Sequence, residues 1–147
     1  MRRLTISMVS VLLVAVAVAM PAGARDARKR VVRIDITGAP AGGNPSGGAG
    51  KFVLKAVGLT DSGSESYAFA NGGGTLTLTG KHGQLFLRLK AHDTGLEVDS
   101  EGLDLWMGTW KIVSGTGSYE KAHGVGGYTG IIGPSYKVAF HLEGFLT

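Results

Sequence analysis

The stretch TLTLTGKHGQLFLRLK, residues 75–90, has leucine at alternate positions on both sides of a short turn bounded by glycines. The residues between the leucines are mostly polar. A period of two places every leucine of a strand on the same face, because successive side chains of a strand point to opposite sides. The turn at 80–83 separates two such runs. This stretch therefore predicts a β-hairpin with one apolar face.

The same alternation recurs along the chain, in the segments 31–36, 51–56, 103–113 and 136–142. No window beyond the N-terminal region shows the 3.6-residue period of an amphipathic helix. A series of short strands separated by turns indicates a barrel or a sandwich. A closed barrel leaves no exposed sheet edge, which suits a chain that contains no cysteine. We therefore predict an all-β fold, an eight-stranded antiparallel, up-and-down-like barrel.

The first 24 residues have the organisation of a secretory signal peptide. Arg2 and Arg3 precede an uncharged apolar stretch, residues 4–20, and Ala22-Gly23-Ala24 forms a small-x-small cleavage pattern. Because about 20 residues are needed to span a bilayer, we expect cleavage after Ala24, with a retained membrane-anchoring helix as the alternative. The expected location is secreted or periplasmic, with no stable membrane span after cleavage.

The formal net charge of +4 is concentrated near the N-terminus. Segment 25–30 contains four basic residues and one acidic residue, whereas segment 31–147 contains nine basic and ten acidic residues. Nucleic-acid-binding domains carry basic residues along a face of the domain, so a nearly neutral body predicts no nucleic-acid partner. The predicted organisation is a signal peptide (1–24), a basic N-terminal tail (25–30) and a single barrel domain (31–147).

Glycine makes up 25 of the 147 residues and is dense at 38–50 and 112–130. The first segment, GAPAGGNPSGGAG, has no large apolar side chain and predicts a long loop of open role. The second lacks the third glycine of a dinucleotide fingerprint and the Gly-Lys-Ser/Thr of a P-loop, so it predicts no nucleotide site. We interpret it as a tight turn after Val113, a single packed aromatic at Tyr119, and a strand over Val125–Ile132.

The sequences WKIVSGTGSY at 110–119 and HGVGGYTG at 123–130 resemble the allene oxide cyclase/dirigent-type barrel superfamily, particularly its small secreted bacterial members. Those members share a Trp-x-Ile strand, a Gly-Thr-Gly-x-Tyr/Phe turn and a Gly-x-Gly strand start. The resemblance implies an eight-stranded antiparallel barrel with an apolar lumen, often assembled as a homo-oligomer. Its members cyclise fatty-acid epoxides, guide phenoxy-radical coupling or have no known activity. None of the family's catalytic residues maps onto a position of this sequence.

Residue types that support catalysis or metal binding do not cluster along the sequence. There is no Gly-x-Ser-x-Gly elbow and no cysteine nucleophile, and the four histidines are widely separated. Segment 97–104, EVDSEGLD, places carboxylates at three positions of a calcium loop, but Gly108 stands where a bidentate glutamate belongs. We predict no metal site and no cofactor, with a weak calcium site at 97–104 as the alternative.

Aromatic side chains are the remaining candidates for a binding site. Trp106 and Trp110 are four residues apart, so a regular strand places both on one face, together with Ile112. An eight-stranded barrel holds its own side chains or one small ligand. Both roles, pocket wall and core, are therefore open for the set Phe86, Trp106, Trp110, Tyr128, Tyr136 and Phe140.

These observations predict a barrel that binds a small apolar or aromatic molecule or acts structurally. One alternative is a cyclase or isomerase that works by positioning a flexible substrate. The other is an extracellular protein-interaction module.

Overall fold

The computed structural model describes residues 29–40, 46–70, 72–92, 104–133 and 137–147. These residues form a short 3-10 helix, Gly117–Tyr119, and eight strands: β1 (Arg30–Pro40), β2 (Gly47–Ala56), β3 (Leu59–Ala70), β4 (Gly73–Gly80), β5 (Gly83–His92), β6 (Asp104–Gly115), β7 (Gly124–Ile132) and β8 (Val138–Leu146). Each strand pairs antiparallel with its neighbours in sequence, and β8 pairs with β1. The predicted all-β fold and closed eight-stranded barrel are confirmed.

The predicted signal peptide and most of the basic tail lie outside the described residues. No helix in the described part of the chain has the length and apolar character needed to cross a membrane. The barrel has two ends, and we name the upper end as the one at which β1, β3, β5 and β7 finish. The lower end is the one at which these four strands begin.

The hairpin predicted at 75–90 is formed by β4 and β5, which meet at the pair Gly80↔Gly83. Its inward leucines face each other across the two strands in the pairs Leu78↔Leu85 and Leu76↔Leu87. All of these leucines are buried. The remaining strands add an inner layer of aliphatic side chains, among them Val32, Ile34, Ile36, Leu54 and Leu142. The core is thus the lumen of the barrel, filled by every second residue of each strand.

Residues 38–40 and 47–50 are strand, which corrects the prediction of a loop over the whole of 38–50; residues 41–45 lie outside the described residues. β1 continues to Pro40 and β2 begins at Gly47, and the pairs Gly38↔Gly50 and Pro40↔Gly48 extend the ladder between them. Glycine is required at the inward positions because side chains of β3 fill the lumen there. A Cβ added to Gly48 would lie 2.6 Å from the Tyr67 hydroxyl oxygen. These parts of β1 and β2 lack large side chains because the side chains of Glu65 and Tyr67 on β3 cover them inside the barrel.

The interpretation of residues 112–130 is confirmed in its main features. β6 ends at Gly115, the 3-10 helix follows, and β7 begins at Gly124. Gly117 has a φ of 60°, the left-handed conformation that glycine adopts without steric strain. Tyr119 is buried against the core. The glycines of β7, unlike Gly117, lie within a strand.

Candidate functional site

Strand β3 carries both buried carboxyl groups of the described barrel interior. Its inward positions are Leu59, Asp61, Gly63, Glu65, Tyr67 and Phe69. Asp61 is 1% exposed and Glu65 is 3% exposed. They are the two charged residues among the buried residues that the structure describes. Burying a carboxylate is unfavourable unless hydrogen bonds or an opposite charge compensate it. The two carboxylates differ sharply in this respect.

Asp61 is fully compensated and closes the lower end of the barrel. The hydroxyl of Tyr119 donates to its Oδ2 at 2.8 Å. The backbone N–H groups of Ser62, Lys81 and His82 donate to the same carboxylate at 2.8, 3.2 and 3.3 Å. Burial acts to raise the pKa of Asp61, but these hydrogen bonds outweigh it and hold the pKa below its ordinary value. Asp61 is therefore a structural residue.

Glu65 has no comparable compensation. Neither oxygen of its carboxyl group has a hydrogen-bond partner among the residues that the structure describes. The group lies over the glycine pair of β1 and β2: a Cβ on Gly38 would be 2.7 Å from Oε1, and one on Gly50 would be 2.8 Å from it. Burial raises the pKa of Glu65 to about 7. At neutral pH this carboxyl group therefore populates both its acid and its carboxylate form.

Two tyrosine hydroxyls share this lack of partners. The hydroxyl oxygens of Tyr67 on β3 and Tyr128 on β7 are buried, and neither is hydrogen-bonded within the described part of the chain. Burial raises the pKa of both groups, and the charge of Glu65 raises that of Tyr67 further. Both are thus neutral O–H groups at physiological pH. Buried polar groups without partners are uncommon in folded proteins and call for a physical explanation.

Five aromatic rings pack together in the upper half of the barrel: Tyr67, Phe69, Trp106, Tyr128 and Phe140. We refer to them as the upper aromatic cluster. The centroids of Phe69 and Trp106 are 5.2 Å apart, and those of Tyr67 and Phe140 are 5.8 Å apart. Tyr128 packs edge-on against Phe140 at 6.3 Å. Two rings of the cluster, Tyr67 and Tyr128, carry the unpartnered hydroxyls, so this part of the barrel interior is an aromatic layer that contains two buried polar atoms.

The structure brings four of the six predicted site residues into the lumen. Trp106, Tyr128 and Phe140 belong to the upper aromatic cluster. Trp110 and Ile112 share the inner face with Trp106, as the spacing predicted. The indole N–H of Trp110 is shared between two backbone carbonyls, of Gly127 at 3.0 Å and Glu143 at 3.1 Å, which gives this residue a packing role.

The other two predicted residues are not part of this cluster. Phe86 is half-buried and alternates with the buried Leu85 and Leu87, so it lies on the outer face of β5. Tyr136 lies outside the described residues. Residues 97–103 of the calcium-loop alternative also lie outside them, and no group of three or more metal-binding side chains occurs in the part of the chain that the structure describes.

Glu65 and Tyr67 are the functional candidates that the sequence analysis missed. β3 was not recognised as a strand, because its outward positions are mostly serine, threonine and alanine and its inward positions include two acids and a glycine. A signal was nevertheless present. Asp61, Glu65, Tyr67 and Phe69 all occupy odd-numbered positions. In a strand, the two acidic residues therefore lie on the same face as the two aromatic residues. This spacing places carboxyl groups on the apolar face.

On the opposite, outer surface of β1 and β8, four charged or titratable side chains form an exposed network. Asp35 contacts the Nδ1 atom of His141 at 2.6 Å, and Glu143 contacts the Nε2 atom of that ring at 3.1 Å. Arg33 pairs with Glu143 at 2.7 Å. Each of these four side chains has a partner within the network, so we interpret the network as a stabilising feature of the surface.

No protein-family model, curated protein sequence or solved structure matches this chain.

Proposed function

We propose that this protein binds a small, largely apolar molecule inside the barrel, with Glu65 and the hydroxyls of Tyr67 and Tyr128 holding its polar group. The observation that carries the proposal is that these three buried residues have polar atoms without partners in the described part of the chain. A ligand that hydrogen-bonds to them would recover the free energy lost by their dehydration on folding.

The surrounding residues agree with this role. Ligand sites are mainly apolar and aromatic with a few polar groups that orient the ligand. The upper aromatic cluster supplies the first part, and the three unpartnered residues supply the second. The lower half of the barrel is different, because Asp61 there has four hydrogen-bond donors. We therefore place the binding region above Asp61, towards the upper end.

Native mass spectrometry of the mature protein, purified from its producer at neutral pH, tests this proposal. We expect one bound molecule for each barrel. A Tyr67→Phe/Tyr128→Phe variant keeps both rings but removes both hydroxyls, so it should fold and lose the bound molecule. Phe86→Leu on the outer face is the matched control and should retain it. Protein that carries no bound molecule, or a variant that keeps it unchanged, contradicts the proposal.

A cyclase or isomerase is the second candidate, and the pKa of Glu65 favours it. General acid–base catalysis is most efficient when the pKa of the catalytic group lies near the working pH, and burial brings the pKa of Glu65 to about 7. In this reading the barrel folds a flexible substrate, as in the superfamily that the sequence resembles, and Glu65 moves a proton at the reacting atom.

Chiral chromatography of the product tests this second function. An unsaturated fatty-acid epoxide incubated with the protein should give one enantiomer in excess. Glu65→Gln removes the transferable proton but keeps the size of the side chain, so the product should become racemic. A racemic product with the unaltered protein leaves binding without catalysis.

A further inference from the structure

We infer that the molecule bound at Glu65 is an organic cation, an aromatic or aliphatic amine whose ammonium group pairs with the Glu65 carboxylate beneath the upper aromatic cluster. This inference rests on the proposed function, because it names the class of ligand for the same site. It concerns the charge of the ligand, which the proposed function leaves open.

The first step is the charge of the barrel interior. Glu65 is buried beside β1, β2 and β4, and its nearest inward neighbours on those strands are glycines and leucines. No lysine, arginine or histidine is among the buried residues of the described chain. His92 and Lys137 are the described basic residues nearest the upper strand ends. Both are exposed, and neither forms an ion pair with Glu65. The described residues therefore supply no positive charge to this carboxyl group.

The sequence of the segments that connect the strands outside the described residues contains no basic residue either. Segments 41–45, 71, 93–103 and 134–136 contain no lysine, arginine or histidine. The basic tail precedes Arg30, which begins β1 at the lower end and pairs with Leu146. Neither the described barrel nor these connecting segments therefore supplies a cation that pairs with Glu65, which leaves that role to a ligand.

The second step is the type of polar atom. An ionised carboxylate is acceptor-only, and a tyrosine hydroxyl can also accept. An ammonium group has several N–H donors and no acceptor, so its donors match the unpartnered oxygens of Glu65, Tyr67 and Tyr128. A neutral ligand with a carbonyl or ether oxygen needs only hydrogen-bond donors from the protein. A glutamine at position 65 would donate to it without the cost of a buried acid. A carboxylate ligand would be repelled by Glu65.

The third step is the aromatic surroundings. Faces of Trp, Tyr and Phe rings attract cations through their quadrupole, and more strongly when water is excluded. The five rings of the upper aromatic cluster lie on the inner wall, and one of them, Tyr67, is two residues from Glu65 along β3. Because folding has already removed water from Glu65, binding requires dehydration of the ammonium group alone. Preorganisation of this kind increases affinity.

Three matched probes test the inference: 2-phenylethylammonium, 2-phenylethanol and 3-phenylpropanoate. They share a ring and a short chain, and they are positive, neutral and negative at neutral pH. Isothermal titration calorimetry of the mature protein at pH 7.5 should show that the ammonium binds roughly 10- to 100-fold more tightly than the alcohol, the range expected for a hydrogen bond to a charged group. The carboxylate should bind most weakly.

Glu65→Gln should remove the preference for the ammonium and leave the affinity for the alcohol nearly unchanged. Glu143→Gln is the matched control, since it removes a carboxylate from the outer face, and it should keep the preference. Affinity for the ammonium should also fall as the pH is lowered from 8 to 5.5, because Glu65 then binds a proton. The other titratable groups inside the described barrel are Tyr67, Tyr119, Tyr128 and Asp61. The pKa of each tyrosine is raised above its ordinary value and that of Asp61 is lowered, so none of them changes protonation over this range.

The outcomes separate the two proposals. If the alcohol binds at least as tightly as the ammonium and Glu65→Gln has no effect on selectivity, the charge inference is wrong while binding in the barrel stands. If none of the three probes binds to the unaltered protein, both are wrong. If Glu143→Gln abolishes the preference as well, the ammonium binds to the outer surface and the inference is also overturned.

Discussion

Glu65→Gln should stabilise the protein in a strongly pH-dependent way. The substitution retains the length and shape of the side chain and replaces an ionisable group with a neutral one. Burial raises the pKa of Glu65 from 4.5 to about 7. Each unit of pKa corresponds to about 1.4 kcal/mol, so ionisation of Glu65 in the folded protein removes about 3 kcal/mol of stability.

The pH range depends on the sign of this change. Below pH 4.5 the carboxyl group is protonated in both states, and the variant and the unaltered protein should have the same free energy of unfolding. Between pH 4.5 and 7 the unfolded chain loses this proton while the folded protein keeps it, so stability falls as the pH rises. Above about pH 7 the loss is complete. The advantage of Glu65→Gln should therefore grow from zero at pH 4 to about 3 kcal/mol at pH 8.5.

Urea unfolding at a series of pH values measures this difference directly. For small proteins the slope is about 1–3 kcal/mol per molar urea, so the midpoint of the variant should exceed that of the unaltered protein by about 1–3 M at pH 8.5. All other titrating groups are common to both proteins and cancel in the comparison. A difference that is constant across this range, or a variant that is less stable at pH 8.5, would refute the electrostatic description of Glu65.

Three further predictions concern the rest of the barrel. Tyr119→Phe should lower the free energy of unfolding by roughly 1.5–3 kcal/mol in thermal or urea unfolding, because it removes a hydrogen bond to a buried carboxylate; no loss would mean that the lower end is not held by this bond. Gly126→Ala should lower the free energy of unfolding by more than about 2 kcal/mol, because the new Cβ would lie 2.7 Å from the Trp110 indole nitrogen and against backbone. Gly127→Ala is the control: the atom nearest to its new Cβ is 3.7 Å away, so the substitution should be neutral or slightly stabilising. Equal effects of the two substitutions would contradict the inward orientation of Gly126. The pKa of His141 is raised, first by its hydrogen bond to Asp35, then by that to Glu143, and further by the charges of both carboxylates. The contribution of this network to stability is therefore present below pH 6.5 and is lost as the pH rises through the folded-state pKa of His141. NMR titration should show a lower pKa for His141 after Asp35→Asn.

The sequence predicts the barrel well because most strands follow one simple rule. In β4, β5 and the middle of β2, apolar and polar residues alternate, and burial of the apolar face then determines strand orientation and register. Short turns join β2 to β3, β3 to β4 and β4 to β5 as antiparallel neighbours, and the pairing of β1 with β8 closes the ring. Trp106 and Trp110 could be placed on one face for the same reason. These are local consequences of side-chain periodicity.

The site could not be predicted in the same way because it depends on contacts between strands. Gly38 and Gly50 look like loop residues in the sequence, yet they lie in paired strands under the carboxyl group of Glu65. Whether Glu65 is buried depends on this pairing. Likewise, three of the four hydrogen-bond donors of Asp61 come from the β4–β5 turn and from Tyr119, which are 20 to 58 residues away in the chain. Periodicity indicates the face of a residue but not its partners.

The contrast between Asp61 and Glu65 explains why a ligand is expected at one and not at the other. Both are on the inner face of β3, and each loses its hydration when the barrel closes. Asp61 recovers that loss through four donors, so replacing it would leave those donors without an acceptor. Glu65 recovers nothing from the described protein, and an apolar residue beside Leu78 would give a more stable barrel. A residue that lowers the stability of the free protein is understandable where a bound partner completes its interactions, which is why Glu65, rather than the larger and better packed Trp110, is the residue on which the binding proposal depends.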